Sequence, residues 1–352
     1  MNHHMTWFEE LTGFPETSAD DVRAKLVLDG GTLTSRVNGR SFVCGRLETP
    51  SLGELRERVA RIAPASGRLS AREVLADVGK LHADPSNAGA LFQVASQFNL
   101  LEMAGPDATP ERGVGIYEND HTQGPACAVA AGAGTIFRNY FAPVRGRVGQ
   151  TSDNQIDCLA DLGDALGNSG ERLWTMRNGY ALATRAGLAE ISRMVGSMSP
   201  EERERLKGLL RIGVQWNTQV TIRGGRHTVT QAYCSALPVG YGVRPADLWE
   251  PFARLVLEAT YEATMCVAAL NASETGNARI FLTLVGGGVF ENRSEWITES
   301  CEHALRFCEG RDLDVAIVSR RFPNPDVARL VRRVPRSQSL SLSREIERDA
   351  GK

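Results

Sequence analysis

The chain has 352 residues, of which 42% are hydrophobic and 23% are charged. This length is enough to bury a large core, in one elaborated domain or in two. The formal net charge is -2, which excludes the strongly basic proteins that bind nucleic acids or anionic membranes through charge. We therefore expect an ordinary globular protein with no nucleic-acid partner and no membrane partner.

The seven cysteines are scattered singly, without a CxxC pair. An odd, unclustered set favours a reduced compartment over a disulfide scaffold or a zinc cluster. The first residues contain no apolar signal core, and no stretch reaches the ~18 apolar residues of a membrane span. We expect a cytoplasmic protein without a cofactor, and the dispersed histidines give no reason to expect a histidine-based metal site.

Residues 1–70 are predicted to form an N-terminal appendage to the main domain. Alternating residues predict strands at 25–29, 33–37 and 41–45, and Asn38-Gly39 indicates a type I′ hairpin between the last two. Ser51 with Glu54 matches a capping box, which predicts the start of a helix.

Residues 71–325 are predicted to form the main domain, and residues 326–352 a partly ordered tail. Short apolar runs and alternation predict strands at 91–95, 213–222, 228–237, 279–285 and 314–318. Helical spacing and composition predict helices at 123–141, 153–166, 199–210, 245–271 and 292–307. Strand, glycine-rich loop and helix recur in the second half, which is typical of a three-layer α/β sheet.

Three segments carry the pattern of a ligand site. The buried strand at 279–285 runs into Gly286, Gly287 and Gly288, followed by Val289, Phe290 and a helix. Glycines let backbone N–H groups approach a ligand, and a helix N-terminus favours an anion. The loop is thus predicted to bind a diphosphate at the carboxyl end of a strand, unless it is only a turn packed against a helix.

The other two segments are polar: one follows the strand at 91–95, and the other precedes a helix of small residues. The strand at 91–95 ends in amides and a carboxylate that suit sugar hydroxyls, and residues 118–127 lead into a small-residue helix. Polar turns and helix-start chemistry would explain part of the same pattern. The residues predicted to contact the ligand are Gln97, Asn99, Glu102, Glu118, Asn119, Thr122, Gln123 and Gly124.

In this order the three segments resemble the macrodomain fold, and the arrangement is most similar to its poly(ADP-ribose)-glycohydrolase-like branch. Residues 285–290 match the late glycine-rich loop of that branch, and the resemblance covers roughly residues 91–318. It implies a mixed sheet flanked by helices, with an ADP-ribose pocket. The Gln-Glu-Glu of that branch is absent, since residues 123–125 read Gln-Gly-Pro. The resemblance therefore supports ADP-ribose binding better than it supports glycohydrolase chemistry.

Three acids supply a candidate for catalysis. Asp153, Asp157 and Asp161 are spaced so that the predicted helix places them on one face, where like charges repel by a few tenths of a kcal/mol. The acids either form a solvated surface or bind a cation and assist cleavage at an anomeric carbon. The layout is similar to that of macrodomain-like bacterial effectors that remove ADP-ribose from arginine, and delivery into another cell would fit.

The resulting hypothesis is a hydrolase that removes ADP-ribose from a modified protein, with arginine as one candidate linkage. Residues 286–290 hold ADP-ribose, Asn99 and residues 118–120 hold the distal ribose, and Asp120, Asp153, Asp157 or Asp161 assist cleavage at C1″. The alternatives are a reader that binds ADP-ribose without turnover and an enzyme that acts on another nucleotide-diphosphate ligand. ADP-ribose or an ADP-ribosylated protein is the expected partner.

Overall fold

The structure is a computed structural model that describes residues 5–62 and 67–334. The strands of the described residues are, in chain order, β1 (Leu26–Asp29), β2 (Thr32–Ser35), β3 (Ser41–Val43), β4 (Arg46–Glu48), β5 (Ser70–Leu75), β6 (Leu91–Ala95), β7 (Pro143–Val144), β8 (Arg147–Val148), β9 (Trp174–Arg177), β10 (Tyr180–Ala183), β11 (Gly213–Gln219), β12 (Thr228–Cys234), β13 (Arg279–Leu282) and β14 (Asp314–Ser319). The α-helices of the same residues are α1 (Trp7–Thr12), α2 (Ala19–Lys25), α3 (Leu52–Arg61), α4 (Val78–Ala83), α5 (Gln123–Ala130), α6 (Gly132–Tyr140), α7 (Ala160–Leu166), α8 (Arg185–Ser197), α9 (Pro200–Gly208), α10 (Glu250–Thr275), α11 (Ser294–Phe307) and α12 (Pro325–Arg333).

A seven-stranded mixed sheet forms the centre, in the order β4-β11-β12-β6-β13-β14-β5. The five strands from β12 to β5 are parallel, whereas β11 and β4 are antiparallel to their neighbours. The carboxyl ends of β12, β6 and β13 therefore meet at one edge, where open α/β sheets bind their ligands. The predicted fold class, a mixed α/β sheet flanked by helices, is confirmed.

Helices cover both faces of the sheet. Gln93 in β6 donates to Thr264 in α10, whereas the preceding Phe92 stacks on His82 in α4. Successive residues of a strand point to opposite faces, so α10 and α4 lie on opposite sides of the sheet. The 26-residue α10 is buried over most of its length and is the main helix of one helical layer.

The N-terminal residues are part of this architecture rather than a separate appendage. Strand β4 pairs with β11 at the edge of the central sheet, and the capping box of Ser51 starts α3, which packs on α10. Strands β1 to β3 form a small sheet of their own. Phe8 and Leu33 belong to a second core that also contains residues after β6. The predicted division at residue 70 therefore cuts through packed structure.

Several predicted elements have other bounds in the structure. The Asn38-Gly39 hairpin pairs Thr34 with Ser41, so its loop is longer than the two residues of a type I′ turn. The predicted helix 123–141 is interrupted at Ala131, giving α5 and α6. Strand β5 and helix α4 were not predicted. The predicted tail begins with α12, and its residues 335–352 lie outside the described residues.

The prediction of one helix over 153–166 is wrong, because the helix begins only at Ala160. The preceding residues run as an irregular segment that is tied to neighbouring loops. The amide of Ile156 donates to the Gln150 side chain, and the amide of Cys158 donates to the carbonyl of Phe98. These hydrogen bonds take the place of the i to i−4 bonds of a helix.

Within residues 5–62 and 67–334, the structure contains no helix that could span a membrane.

Candidate functional site

A cleft of about 210 Å³, here called the main cleft, opens at the carboxyl ends of β6 and β13, beside β12. All three segments singled out from the sequence contribute to its lining. The predicted site residues that line it are Gln97, Glu102, Asp120, Thr122, Gln123, Gly124, Gly286, Gly288, Val289 and Phe290. The order of the parallel strands brings these segments together, because β6 lies between β12 and β13.

The loop after β13 has the geometry of a backbone binding surface. Gly286 has φ +79°, and a Cβ there would lie 2.5 Å from the Cβ of Ala236, so this position requires glycine. A Cβ on Gly288 would meet nothing within 4 Å. The amide N–H groups of Gly288, Val289 and Phe290 donate to no acceptor within the described residues. The loop therefore offers free donors beside open space.

A helix N-terminus faces the main cleft, but it belongs to α5 rather than to the helix after the glycines. Helix α11 begins only at Ser294 and contributes nothing to the lining, whereas Gln123 and Gly124 of α5 line it. The first amides of a helix have no acceptor inside the helix and favour an anion. The anion-binding elements are thus the glycine loop on one side and the start of α5 on another.

Two residues fix the start of α5 against the end of β6. The Gln123 side chain accepts from the amide of Ala95 at 2.9 Å and donates to the carbonyl of Gln93 at 2.8 Å. A Cβ on Gly124 would lie 1.9 Å from the carbonyl oxygen of Ala95. Gln123 and Gly124 therefore shape the main cleft, and the side chain of Gln123 is already used.

A buried carboxyl group forms part of the cleft lining. Glu102 is 3% exposed, and neither of its oxygens has a hydrogen-bond partner among the described residues. Burial raises the pKa of Glu102 to about 8, and the guanidinium of Arg138 opposes this rise. The nearest Arg138 nitrogen, Nη2, is 3.8 Å from Oε2 of Glu102. At neutral pH this carboxyl group holds its proton for much of the time.

Three aromatic rings form another wall of the main cleft. The ring centroids of Tyr180 lie 5.3 Å from those of both Tyr241 and Phe290, and Tyr241 and Phe290 are 5.9 Å apart. The Tyr180 hydroxyl donates to the carbonyl of Met103, which anchors this ring. The sequence predicted Phe290 but neither tyrosine. Trp216, in β11, is buried beside β4, where its indole donates to Glu48.

Some predicted ligand residues lie elsewhere. Asn99 is fully buried, its side chain donates to Gln155 and accepts from the amide of Leu101, and it does not line the main cleft. Glu118 accepts from the amide of Trp7, and neither it nor Asn119 lines the cleft. The amide of Gly287 donates to the carbonyl of Leu284 within the loop.

The predicted acidic face does not form. Asp153 is exposed and paired with Arg147 at 3.0 Å, and Asp157 accepts from the amide of Leu159. Asp161, in α7, is paired with Arg211 at 2.7 Å. These three acids are not on one helix face, and none lines the main cleft.

Asp120 is the predicted catalytic acid that does line the main cleft, where its carboxylate accepts from the amide of Thr122 at 2.8 Å. The same residue, with Pro125, also lines a neighbouring groove of about 610 Å³, here called the outer groove. Its other charged residues are Glu10, Asp77, Glu118, Arg40, Arg223 and Arg320. The main cleft and the outer groove are therefore joined at Asp120. Within residues 5–62 and 67–334, no group of three or more His, Cys, Asp or Glu side chains is placed to hold a metal ion.

Comparison with known proteins gives matches only among solved structures. No protein-family model matches the chain, and no curated protein matches it. Poly(ADP-ribose) glycohydrolase from Deinococcus radiodurans in complex with ADP-ribose is 15% identical, with a TM-score of 0.45 over 90% of this chain and 95% of that one. Poly(ADP-ribose) glycohydrolase from Thermomonospora curvata is 13% identical, with a TM-score of 0.43 over 89% and 97%. The Thermomonospora curvata enzyme bound to the inhibitor ADP-HPD is 14% identical, with a TM-score of 0.43 over 90% and 97%.

Proposed function

We propose that the chain binds ADP-ribose in the main cleft and hydrolyses the bond between its distal ribose and a modified protein. The observation that carries this proposal is the meeting of the glycine loop, the start of α5 and two acids, Glu102 and Asp120, around one cleft. The glycine loop and the start of α5 suit a diphosphate, and the two acids suit a sugar and the cleavage of its glycosidic bond. A plain packing turn needs none of them.

The diphosphate fits the loop after β13. Free amides at Gly288, Val289 and Phe290 match an anion that accepts several hydrogen bonds, and the N-terminus of α5 adds a favourable field. Each favourable contact between an anion and a helix end contributes about 0.3–1 kcal/mol. The open space at Gly288 leaves room for the phosphate oxygens.

The sugar and base fit the remaining walls. Tyr180, Tyr241 and Phe290 present aromatic rings, which bind flat or apolar ring faces. The unpartnered carboxyl group of Glu102 can bond to a ribose hydroxyl. Together these groups complement a nucleotide joined to a second sugar.

Hydrolysis at C1″ requires a base that activates water and an acid that protonates the leaving group. Asp120 is half-buried at the junction of the main cleft and the outer groove, where water from the groove can reach its carboxylate. We assign the base to Asp120. The earlier assignment of catalysis to Asp153, Asp157 and Asp161 finds no support in their positions.

The charges of the outer groove favour arginine as the modified residue. Its lining has four carboxylates and three arginines, which leaves an excess of one negative charge. Asp77 and Glu118 line this groove together with Asp120. Negative charge beside the departing group stabilises a guanidinium.

The test is release of ADP-ribose from an arginine-ADP-ribosylated peptide, followed by chromatography. We expect Asp120→Asn to slow release about 100- to 10,000-fold, the usual contribution of a general base. Asparagine still accepts from the amide of Thr122, so the turn should survive. Asp153→Asn is the matched control, because Asp153 is also a loop aspartate and is far more exposed.

Other outcomes would revise the proposal in a defined way. Wild-type protein that binds ADP-ribose and releases none from arginine, glutamate or serine linkages would be a reader. Release from another linkage but not from arginine would remove the arginine assignment and keep the hydrolase. Equal rates for wild type and Asp120→Asn would remove the role of Asp120.

A further inference from the structure

Glu102 is out of place for a purely structural residue. Buried carboxyl groups in folded proteins are almost always hydrogen-bonded, and those that are not deserve a specific explanation. Glu102 is 3% exposed, lines the main cleft, and has two oxygens without a partner in the described part of the chain. A group outside the protein is the simplest partner for it.

The neighbouring arginine lies close to Glu102 without a hydrogen bond to it, and Nη1 of Arg138 also has no hydrogen-bond partner among the described residues. Nε of Arg138 donates to the carbonyl of Leu100 at 3.1 Å, and Nη2 donates to Oγ1 of Thr135 at 3.1 Å. Its guanidinium lies 3.6 Å from the centroid of the Tyr233 ring. These contacts hold Arg138 at 3.8 Å from Glu102, beyond hydrogen-bond distance.

The backbone around Glu102 is equally constrained. The amide of Glu102 donates to the Tyr117 hydroxyl at 3.2 Å. A Cβ on Gly124 would lie 3.2 Å from Cγ of Glu102, so the absence of a side chain at the start of α5 makes room for this acid. Glu102 is thus held between α5 and the floor of the cleft.

Three buried titratable groups near Glu102 are neutral at pH 7. Burial raises the pKa values of Tyr117, Tyr233 and Cys127, which lie on three different elements. Within the described residues, Arg138 is the charge that acts on the Glu102 pKa, and burial outweighs it. The surroundings therefore favour the protonated carboxyl group.

We propose that Glu102 is the proton donor of the reaction and Arg138 the residue that positions it. This inference rests on the proposed function. As the C1″–N bond breaks, its electron pair stays on the leaving nitrogen, and that nitrogen takes the proton of the Glu102 carboxyl group. Water forms the new C1″–O bond and gives its proton to Asp120. The products are ADP-ribose and the free guanidinium, and proton transfer from Asp120 to Glu102 through solvent restores the starting state.

The test compares wild type, Glu102→Gln and Glu102→Asp on two substrates. One is the arginine-linked peptide, whose nitrogen needs a proton. The other is a 4-nitrophenyl glycoside of ADP-ribose, whose leaving group departs without one. We expect Glu102→Gln to lose about 100- to 10,000-fold on the peptide and less than about tenfold on the nitrophenyl substrate. Glu102→Asp should recover part of the peptide activity and keep the fall in rate at alkaline pH.

The controls separate this inference from the proposed function. Calorimetry with ADP-ribose and thermal unfolding show whether Glu102→Gln binds and folds like wild type; glutamine has the shape of the protonated acid, so we expect both. Equal losses on the two substrates, or no loss on either, would overturn the role of Glu102 and leave the hydrolase intact. Wild-type protein that cleaves neither substrate would overturn the hydrolase and the role of Glu102 together.

Discussion

Within residues 5–62 and 67–334, charged side chains are buried in two places, and their partners differ. Between α3, α9 and α10, Lys207 and Glu262 are almost fully buried, and both oxygens of Glu262 accept from Arg56, at 2.6 and 2.8 Å. Lys207 reaches Glu204 at 2.6 Å. At the cleft, by contrast, the carboxyl group of Glu102 is also buried, but neither of its oxygens has a hydrogen-bond partner among the described residues, and its nearest cationic nitrogen, Nη2 of Arg138, is 3.8 Å away.

This difference in hydrogen bonding distinguishes charged groups that stabilise the fold from a charged group that serves a ligand. A buried ion pair holds its place only when every polar atom finds a partner, because desolvation of each ion costs several kcal/mol. The network on α10 meets this condition and ties three helices together. The Glu102 site does not meet it, and this is expected where the missing partner is a ligand.

The largest predicted effect tests the structural half of this comparison. Glu262→Ala should lower the free energy of unfolding by about 3–5 kcal/mol, since it leaves the buried Lys207 and the part-buried Arg56 with fewer partners. Urea unfolding measures it. The control is Glu57→Ala on α3, whose side chain is 73% exposed, and it should change stability by less than about 0.5 kcal/mol. A loss below about 1 kcal/mol for Glu262→Ala would show that the network does not stabilise the fold.

The second prediction concerns how stability depends on pH. The folded-state pKa of Glu102, about 8, exceeds the ordinary 4.5, so the folded state binds the extra proton between these values. Stability of the wild type should therefore fall as pH rises through this window, by up to about 1.4 kcal/mol per pH unit from this group. The Glu102→Gln variant should not show this fall in stability, because glutamine does not titrate. Parallel curves for the two proteins from pH 5 to 8 would contradict a buried, unpaired acid.

The third prediction separates two neighbouring glycines of the loop. Gly286→Ala should destabilise the protein by about 1–3 kcal/mol, because φ is +79° and the new Cβ would press on Ala236. Gly288→Ala, with open space around it, should leave the melting temperature within about 1 °C of the wild type. Equal losses at both positions would mean that the loop is packed throughout and offers no space to a ligand.

The smallest predicted effect is at the aromatic wall. Tyr241 is 41% exposed, so Tyr241→Ala should cost only about 0.5–1.5 kcal/mol of stability through lost ring contacts. Its loss should weaken ADP-ribose binding by about tenfold, which calorimetry measures. Tyr241→Phe keeps the ring and should bind like the wild type. Unchanged binding for Tyr241→Ala would place the ligand away from this wall.

The parts of the site that the sequence predicted are those set by local chemistry and strand order. Gly286 to Phe290 follow a buried strand, and Thr122 to Gly124 begin a small-residue helix, so both had a signal in the chain itself. Their meeting followed from the rule that ligands bind at the carboxyl ends of parallel strands. The capping box at Ser51 was confirmed for the same reason, since its hydrogen bonds are local.

The errors arose where distant contacts override local spacing. The repeat of Asp153, Asp157 and Asp161 is helical on paper, but hydrogen bonds to Gln150 and Phe98 hold the segment before Ala160 in another form. Tyr180 was missed, although the Asn178-Gly179 pair just before it is a hairpin signal like Asn38-Gly39. Asn178 and Gly179 both have positive φ, and they join β9 to β10. No local pattern marks Arg138, because its role depends on Leu100 and Glu102.

The most direct test of the central claim is calorimetry with ADP-ribose on wild type, Gly288→Leu and Gly310→Leu. A Cβ at either glycine meets nothing within 4 Å, so both variants should fold, but only Gly288 lines the main cleft. We predict micromolar binding for wild type and Gly310→Leu, and at least about tenfold weaker binding for Gly288→Leu. No binding by the wild type, or equal binding by all three proteins, would contradict an ADP-ribose site in this cleft.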